Sequence, residues 1–213
     1  MANPKILRNL KRLGHDTFLY DGRPVIYIDP WKLPSGCPIA DLVLVTHDHF
    51  DHCSPEDVER ISGKETVVIA DAGAARKLKG AKVLQPGESL TVGDVTVSAV
   101  SAYNVNKFRS PGEPFHPKGM QGNGYIIKLG EETLYHAGDT DFIPEMAQLD
   151  VTVALLPVSG TYVMTAEEAF EAAKTIRADI YVPMHYGDIV GGNEDVESFR
   201  SLCEGQGLKV TVV

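Results

Sequence analysis

The chain has 213 residues, 43% of them hydrophobic and 23% charged, enough apolar material for one compact domain and too much for disorder. Its net charge is −9, from 20 basic and 29 acidic residues with no run of Lys or Arg, so nonspecific nucleic-acid binding is disfavoured for want of a basic stripe to displace counterions. Cys37, Cys53 and Cys203 lie far apart with no C-x-x-C, the opening MANPKILRNLKRLG lacks a signal-peptide core, and no apolar stretch approaches the ~20 residues of a membrane span, so the expectation is a cytoplasmic protein with no disulfide framework and no membrane contact.

Residues 1–30 read as β-structure. Within them TFLYDGRPVIYID has two apolar runs flanking Asp21-Gly22-Arg23-Pro24, a hairpin signal. ADLVLVT (40–46) is continuously apolar, as in a strand buried on both faces. A helix is expected to start at SPEDVERI, with Ser54 as N-cap, Pro55 in the first turn and Asp57 completing a capping box. ETVVIA (65–70) predicts a strand, DAGAARKL (71–78) a short helix, and residues 82–102 further strands. Residues 104–123, rich in Pro and Gly, read as a long loop, and such loops are often functional. Strands resume with GYIIKL, ETLYHA and VTVALLPV. TAEEAFEAAKTIR is the clearest helix, capped by Thr165 with Glu168 closing a capping box. DIYVPMHYG predicts a strand ending in His185, Asn193 a cap for a last helix to about Glu204, and LKVTVV a closing strand. The whole span 1–213 reads as a single domain of α+β class.

The densest chemistry is THDHFDH, residues 46–52. In an extended segment residues i and i+2 point the same way, so His47 and His49 can grip one ion together, while Asp51 and His52 point elsewhere and can grip a second. Imidazole with carboxylate suits Zn, Mn, Fe or Ni and not Ca. The bland alternative is a polar turn with solvated histidines. Further ligands belong at other strand ends. Asp139 in LYHAGDT follows a strand and a glycine, and a carboxylate can bridge two ions; His185 ends a strand; His116 in PFHPKG lies in the long loop.

These residues resemble the metallo-β-lactamase fold superfamily. His47-x-His49-x-Asp51-His52 matches its signature loop, Gly138-Asp139-Thr140 its bridging-aspartate motif and His185 its last ligand. Leu13-Gly14-His15, Ile28-Asp29-Pro30 and Tyr135-His136-Ala137 resemble more narrowly the UlaG-like branch of metal-dependent hydrolases, distantly akin to ascorbate-phosphate lactonases and N-acyl phosphatidylethanolamine phospholipase D. The resemblance runs through essentially the whole chain. It implies an αββα sandwich, two mixed β-sheets flanked by helices, with the metals at one edge of the sheets.

One departure stands out. Where the family places a ligand histidine after VSAVSAYN, this chain has Tyr103-Asn104, and His116 is expected to reach in from the loop instead, stiffened by Pro114 and Pro117. Asp29 reads either as the acceptor that fixes the tautomer of a ligand imidazole or as a plain turn aspartate. His15 and His136 match family positions lining the site, and Asn104 joins them there. Cys53 follows His52 at a helix start, which could lower its pKa, though a small buried residue is the simpler reading. Lys107, Arg109 and Lys118 form a local basic excess that could hold an anionic substrate group, or be merely solvated.

The functional expectation is a metal-dependent hydrolase with two divalent transition-metal ions per chain. A water bridging ions ~3.5–4 Å apart would attack a small ester, lactone or phosphodiester, with Asp51 and Asp139 central to the chemistry. The alternatives are a ribonuclease like the tRNA 3′-end processing enzymes of the same superfamily, or a metal-dependent binding or sensor protein that has lost catalysis. The sequence sets no oligomeric state.

Overall fold

The computed structural model describes residues 4–120 and 122–213, the side chain of Met120 excepted. After a short 3-10 helix (Lys5–Arg8), the strands β1 (Leu10–Gly14), β2 (Thr17–Asp21), β3 (Val25–Ile28), β4 (Ala40–Val45), β5 (Ser62–Ala70) and β6 (Lys82–Val83) lie side by side in chain order. The first three pair antiparallel; β3 to β6 are parallel, with α1 (Pro55–Ile61) and α2 (Ala72–Ala75) in the crossovers. The second sheet is built from β7 (Ser89–Val92) and β8 (Val95–Ser101), then, after a small ribbon of β9 (Phe108–Ser110) and β10 (Glu113–Pro114), from β11 (Asn123–Leu129), β12 (Glu132–His136), β13 (Asp150–Pro157) and β14 (Arg177–Met184). Its order is β14-β13-β12-β11-β8-β7, with α3 (Ala166–Thr175) crossing between the parallel pair β13 and β14 and α4 (Asn193–Glu204) packed against α3. This is the expected αββα sandwich.

The alternation of side chains explains the layering. On β2, β3, β4 and β5 the residues Phe18, Ile26, Ile28, Leu42, Leu44 and Ile69 join the large core that also holds the second sheet. Their neighbours Leu19, Tyr27, Val43, Val45, Val68 and Ala70 point the opposite way and pack with Val58, Ile61, Ala74 and Leu78 of the α1–α2 layer. A strand covered on both faces is apolar throughout, which is why ADLVLVT shows no polar alternation. On α3 the buried Ala166, Ala169, Ala172 and Ala173 present small side chains to the second sheet, and the Thr165–Glu168 capping box forms as expected.

Several expectations need correction. Asp57 does not close a capping box: Ser54 accepts its N–H at 3.2 Å, but its carboxylate accepts from Leu33 N at 3.3 Å and pairs with Arg60 at 3.0 Å. The cap of α4 is Gly192, whose N–H is accepted by Asp195 at 2.8 Å, one residue before Asn193. LKVTVV makes only one bridge, Val210 to Tyr181, because Tyr181 alone exchanges backbone hydrogen bonds with it, through Lys209 and Thr211. The long loop is not structureless. Gly112, at φ 81°, lets the chain reverse between β9 and β10, and Lys118–Met120 form a 3-10 turn. Among the described residues no helix is long and apolar enough to cross a membrane.

Candidate metal centre

Strand ends converge on one edge of the sandwich. The 46–52 loop leaves β4, Asp139 follows β12, His185 follows β14, Asp29 follows β3 and His15 sits between β1 and β2. Getting side chains to this edge takes unusual backbone. His15 (φ 40°), Asp29 (φ 47°) and His185 (φ 59°) all occupy the left-handed region, which costs an L-residue roughly 1–3 kcal/mol and persists where surroundings impose it. Gly138 (φ 63°) precedes Asp139; a Cβ there would lie 2.6 Å from Asn123 O of the neighbouring β11, so only glycine lets the chain leaving β12 pass this close to it.

Two disjoint groups of donors result, and a third set, Asp16, His52, Asp139 and His185, overlaps them. His47, His49, His116 and Asp139 form one group; His15, Asp51, His52 and His185 form the other, and within each set the donor atoms lie within 4.8 Å of one another. Asp139 faces both. Its Oδ2 is 3.3 Å from His116 Nε2 and 3.9 Å from His47 Nε2, while its Oδ1 is 3.3 Å from His52 Nε2 and 3.4 Å from His185 Nε2. His116 Nε2 also lies 3.2 Å from His49 Nδ1.

Hydrogen bonds on the far side of four rings decide which nitrogen faces inward. Asp29 Oδ2 accepts the Nδ1–H of His52 at 2.8 Å and the hydroxyl of Thr46 at 2.7 Å; the Thr46 oxygen is then free to accept His47 Nδ1–H at 3.1 Å. Asn104 Nδ2 donates to Asp141 Oδ1 (3.1 Å) and Tyr162 O (2.8 Å), so its Oδ1 faces His116 and accepts both His116 N–H (2.8 Å) and Nδ1–H (2.9 Å). Ser159 Oγ engages His185 Nδ1 at 2.8 Å. The inward Nε2 atoms of His47, His52 and His185, both nitrogens of His15 and Asp139 Oδ1 are buried without a hydrogen-bond partner. Orphaned imidazole lone pairs beside a carboxylate are what a transition-metal ion satisfies, so the donor set fits the expected group.

Electrostatics agree. Burial pushes His116 down to about 4 and, with the charge of His52 nearby, holds His47 well below the usual range, leaving neutral donors. Burial opposes charge on His52 too, yet the Asp139, Asp29 and Asp16 carboxylates hold it well above its ordinary value. Burial likewise raises Asp139, and the facing His52 and His185 overcome it and pull the carboxyl well below its range. The carboxylates around His52 and His185 thus favour positive charge there.

Placement of the sequence candidates is uneven. His47, His49, Asp51, His52, His116, Asp139 and His185 come together as two donor groups, and Asn104 and Asp29 orient rings. His15, assigned to the wall by sequence, puts Nε2 3.3 Å from Asp51 Oδ2, inside the second group. His136 stays out of both; it donates to Asp16 O at 3.0 Å and accepts Gly138 N–H at 3.2 Å, bracing the backbone on either side. Cys53 is no activated thiol, since burial pushes it up to about 11. The basic excess is matched by acids distant in sequence. Lys107 bonds Glu168 at 2.6 Å with Asp141 at 3.7 Å, and Lys118 bonds Glu145 at 2.8 Å. Arg109 lies 5.6 Å from the Phe115 ring centre. None of the three lines the cleft of about 360 Å³ above the donors. Sequence reasoning missed Thr46, Ser159 and Asp16. Thr46 and Asp16 at least adjoin candidate histidines; Ser159 carried no signal. A larger cleft of about 450 Å³ near Gly87 and Met146 holds no histidine or aspartate among the described residues.

Residues 9–185 match the family described as the beta-lactamase superfamily domain. The chain is 32% identical to a metal-dependent hydrolase from Pyrococcus abyssi, over 96% of this chain and 95% of that one, and 35% identical to one from Thermococcus kodakarensis, over 91% of each. Among solved structures it resembles Igni18, a metallo hydrolase from Ignicoccus hospitalis, with TM-score 0.74 and 26% identity over 96% of this chain and 94% of that chain.

Proposed function

The chain belongs to the beta-lactamase superfamily and is a metal-dependent hydrolase, and from that premise we propose that it holds two divalent transition-metal ions and cleaves a small ester, lactone or phosphodiester in the cytoplasm. The observation that carries the binuclear reading is the position of Asp139, one oxygen toward each donor group. His47, His49 and His116 would hold one ion, and Asp51, His52, His185 and His15 the other, with Asp139 shared. Such ions, when bound, acidify water toward neutral pH and offset charge that develops on the attacked group. The protein's own part is positioning. Asp29, Thr46, Asn104 and Ser159 orient the rings of His52, His47, His116 and His185. Against a ribonuclease stand the net charge of −9 and a cleft whose lining includes no Lys or Arg.

The test joins metal content to turnover. Elemental analysis after loading with Zn, Mn, Ni or Fe should give two ions per chain, and the loaded protein should cleave members of an ester, lactone and phosphodiester panel. Asp139→Asn should lose more than about 100-fold in turnover while its circular dichroism is unchanged, since losing a shared ligand exceeds the 10–100-fold typical of outer partners. Near wild-type turnover in that variant would make Asp139 a turn residue and end the binuclear reading.

A further inference from the structure

We propose that the cleft over the metal centre selects uncharged substrates bearing an aromatic or similarly flat apolar arm next to the scissile bond, with Phe50, Phe115, Tyr162 and Ile189 setting the preference. The chemistry of cleavage rests on the hydrolase reading above; the recognition stands on the walls themselves.

The floor of the cleft is His49, Asp51, His116 and Asp139, and its remaining lining is Phe50, Phe115, Tyr162 and Ile189. Nothing else lines it among the described residues, so beyond the donors the only polar side-chain group offered to a substrate is the Tyr162 hydroxyl. The walls are also unusually exposed for apolar groups: Phe50 is 69% exposed, Ile189 39% and Tyr162 37%. Scattered single exposures mean little, but three around one opening mark a binding surface. Phe50 sits inside the donor loop itself, between His49 and Asp51, so the ring is carried to the cleft by the same backbone that carries the donors.

Ring contacts brace the walls. Phe50 meets Trp31 edge-on at 5.9 Å, and Phe115 meets Tyr162 edge-on at 4.7 Å. Two nearby cations are engaged by this framework: Lys32 lies over the Trp31 ring at 4.0 Å and Arg109 is 5.6 Å from the Phe115 ring centre. Lys107 and Lys118 are tied to Glu168 and Glu145. A charge carried on the substrate's arm would therefore meet rings and Ile189 in place of a counter-ion. A volume of about 360 Å³ is at the small end for ligand sites, which suits one ring and the group to be cleaved.

Trp31, the one tryptophan of the chain, touches the Phe50 wall and reports occupancy without turnover. Metal-loaded protein is titrated with benzamide, acetamide and terephthalamate, the last carrying a carboxylate at the far end of the ring. The fluorescence change should saturate with benzamide at a concentration at least tenfold below that for either other probe. Tyr162→Asn, which keeps a residue tolerant of the backbone φ of 70°, and Ile189→Ser should each weaken benzamide at least fivefold more than they weaken acetamide. The kcat/KM values for methyl benzoate, methyl acetate and monomethyl terephthalate should rank the same way. Equal or tighter binding of terephthalamate, or equal losses for both amides in the variants, would overturn the proposal. Probes ranked as expected with no ester cleaved would uphold recognition and defeat the ester reading; esters cleaved without an aryl preference would do the reverse.

Discussion

At Asn104 the amide has no freedom to turn, because both its hydrogens are taken by Asp141 and Tyr162 O and its oxygen is left facing His116. A side chain that would ligate poorly thus fixes the tautomer of one that ligates well. Asn104→Ala should weaken ion binding at the first donor group by about 10–100-fold, read by competition with a chromogenic chelator; affinity within twofold of wild type would mean that packing alone holds the ring. At Gly138 the obstacle is steric. Gly138→Ala must place a methyl 2.6 Å from Asn123 O at φ 63°, and urea unfolding should show a loss of about 2–4 kcal/mol, the left-handed and overpacking costs together. A loss under ~1 kcal/mol would show that β11 yields. The donors were legible in the sequence because H-x-H-x-D-H is local and Asp139 and His185 end recognisable strands. His15 was read as wall because nothing in sequence says that a residue between two N-terminal strands meets Asp51. The partners of the basic excess are hidden for the same reason: Glu168, Asp141 and Glu145 become neighbours of Lys107 and Lys118 only through the fold.

Most strands and the major helices are readable from apolar runs and caps, since burial on one or two faces writes a period into the sequence. The β9–β10 ribbon left no such mark: Phe108, Arg109 and Ser110 are all exposed, and only Gly112 hints at the reversal. Yet this segment is tied at its base. Asn104 N–H donates to His116 O at 2.8 Å, and Val105 and Asn106 N–H both donate to Asp141 Oδ2, at 2.7 and 2.9 Å. Its one imidazole then points into the first donor group. If His116 holds an ion, ordering of the segment and ion binding are coupled. On chelation, hydrogen exchange at the His116 amide and its neighbours should quicken at least tenfold, while the amides of β13 stay protected. Unchanged exchange in this segment would break the link.

Across the molecule, ion binding adds to stability by mass action. Metal at about a thousand times its dissociation constant contributes about 4 kcal/mol, and at 2–4 °C per kcal/mol for a chain of this size the melting temperature should rise by roughly 8–16 °C over the chelated protein. A calorimetric scan showing no difference would mean that the donors do not hold metal in the folded state. The chain up to β6 makes one sheet and the chain from β7 onward makes the other, and the donor groups draw on both. In polymer terms, an ion gripped by His52 and Asp139 would close a loop of roughly 90 residues, and a fixed link of that span removes up to ~4–5 kcal/mol of chain entropy from the unfolded ensemble. Cys37, Cys53 and Cys203 are all free, so no sulfur bridge performs this task. A metal held there would also be a reversible staple between the halves of the sandwich, one that a chelator can cut and fresh metal can close.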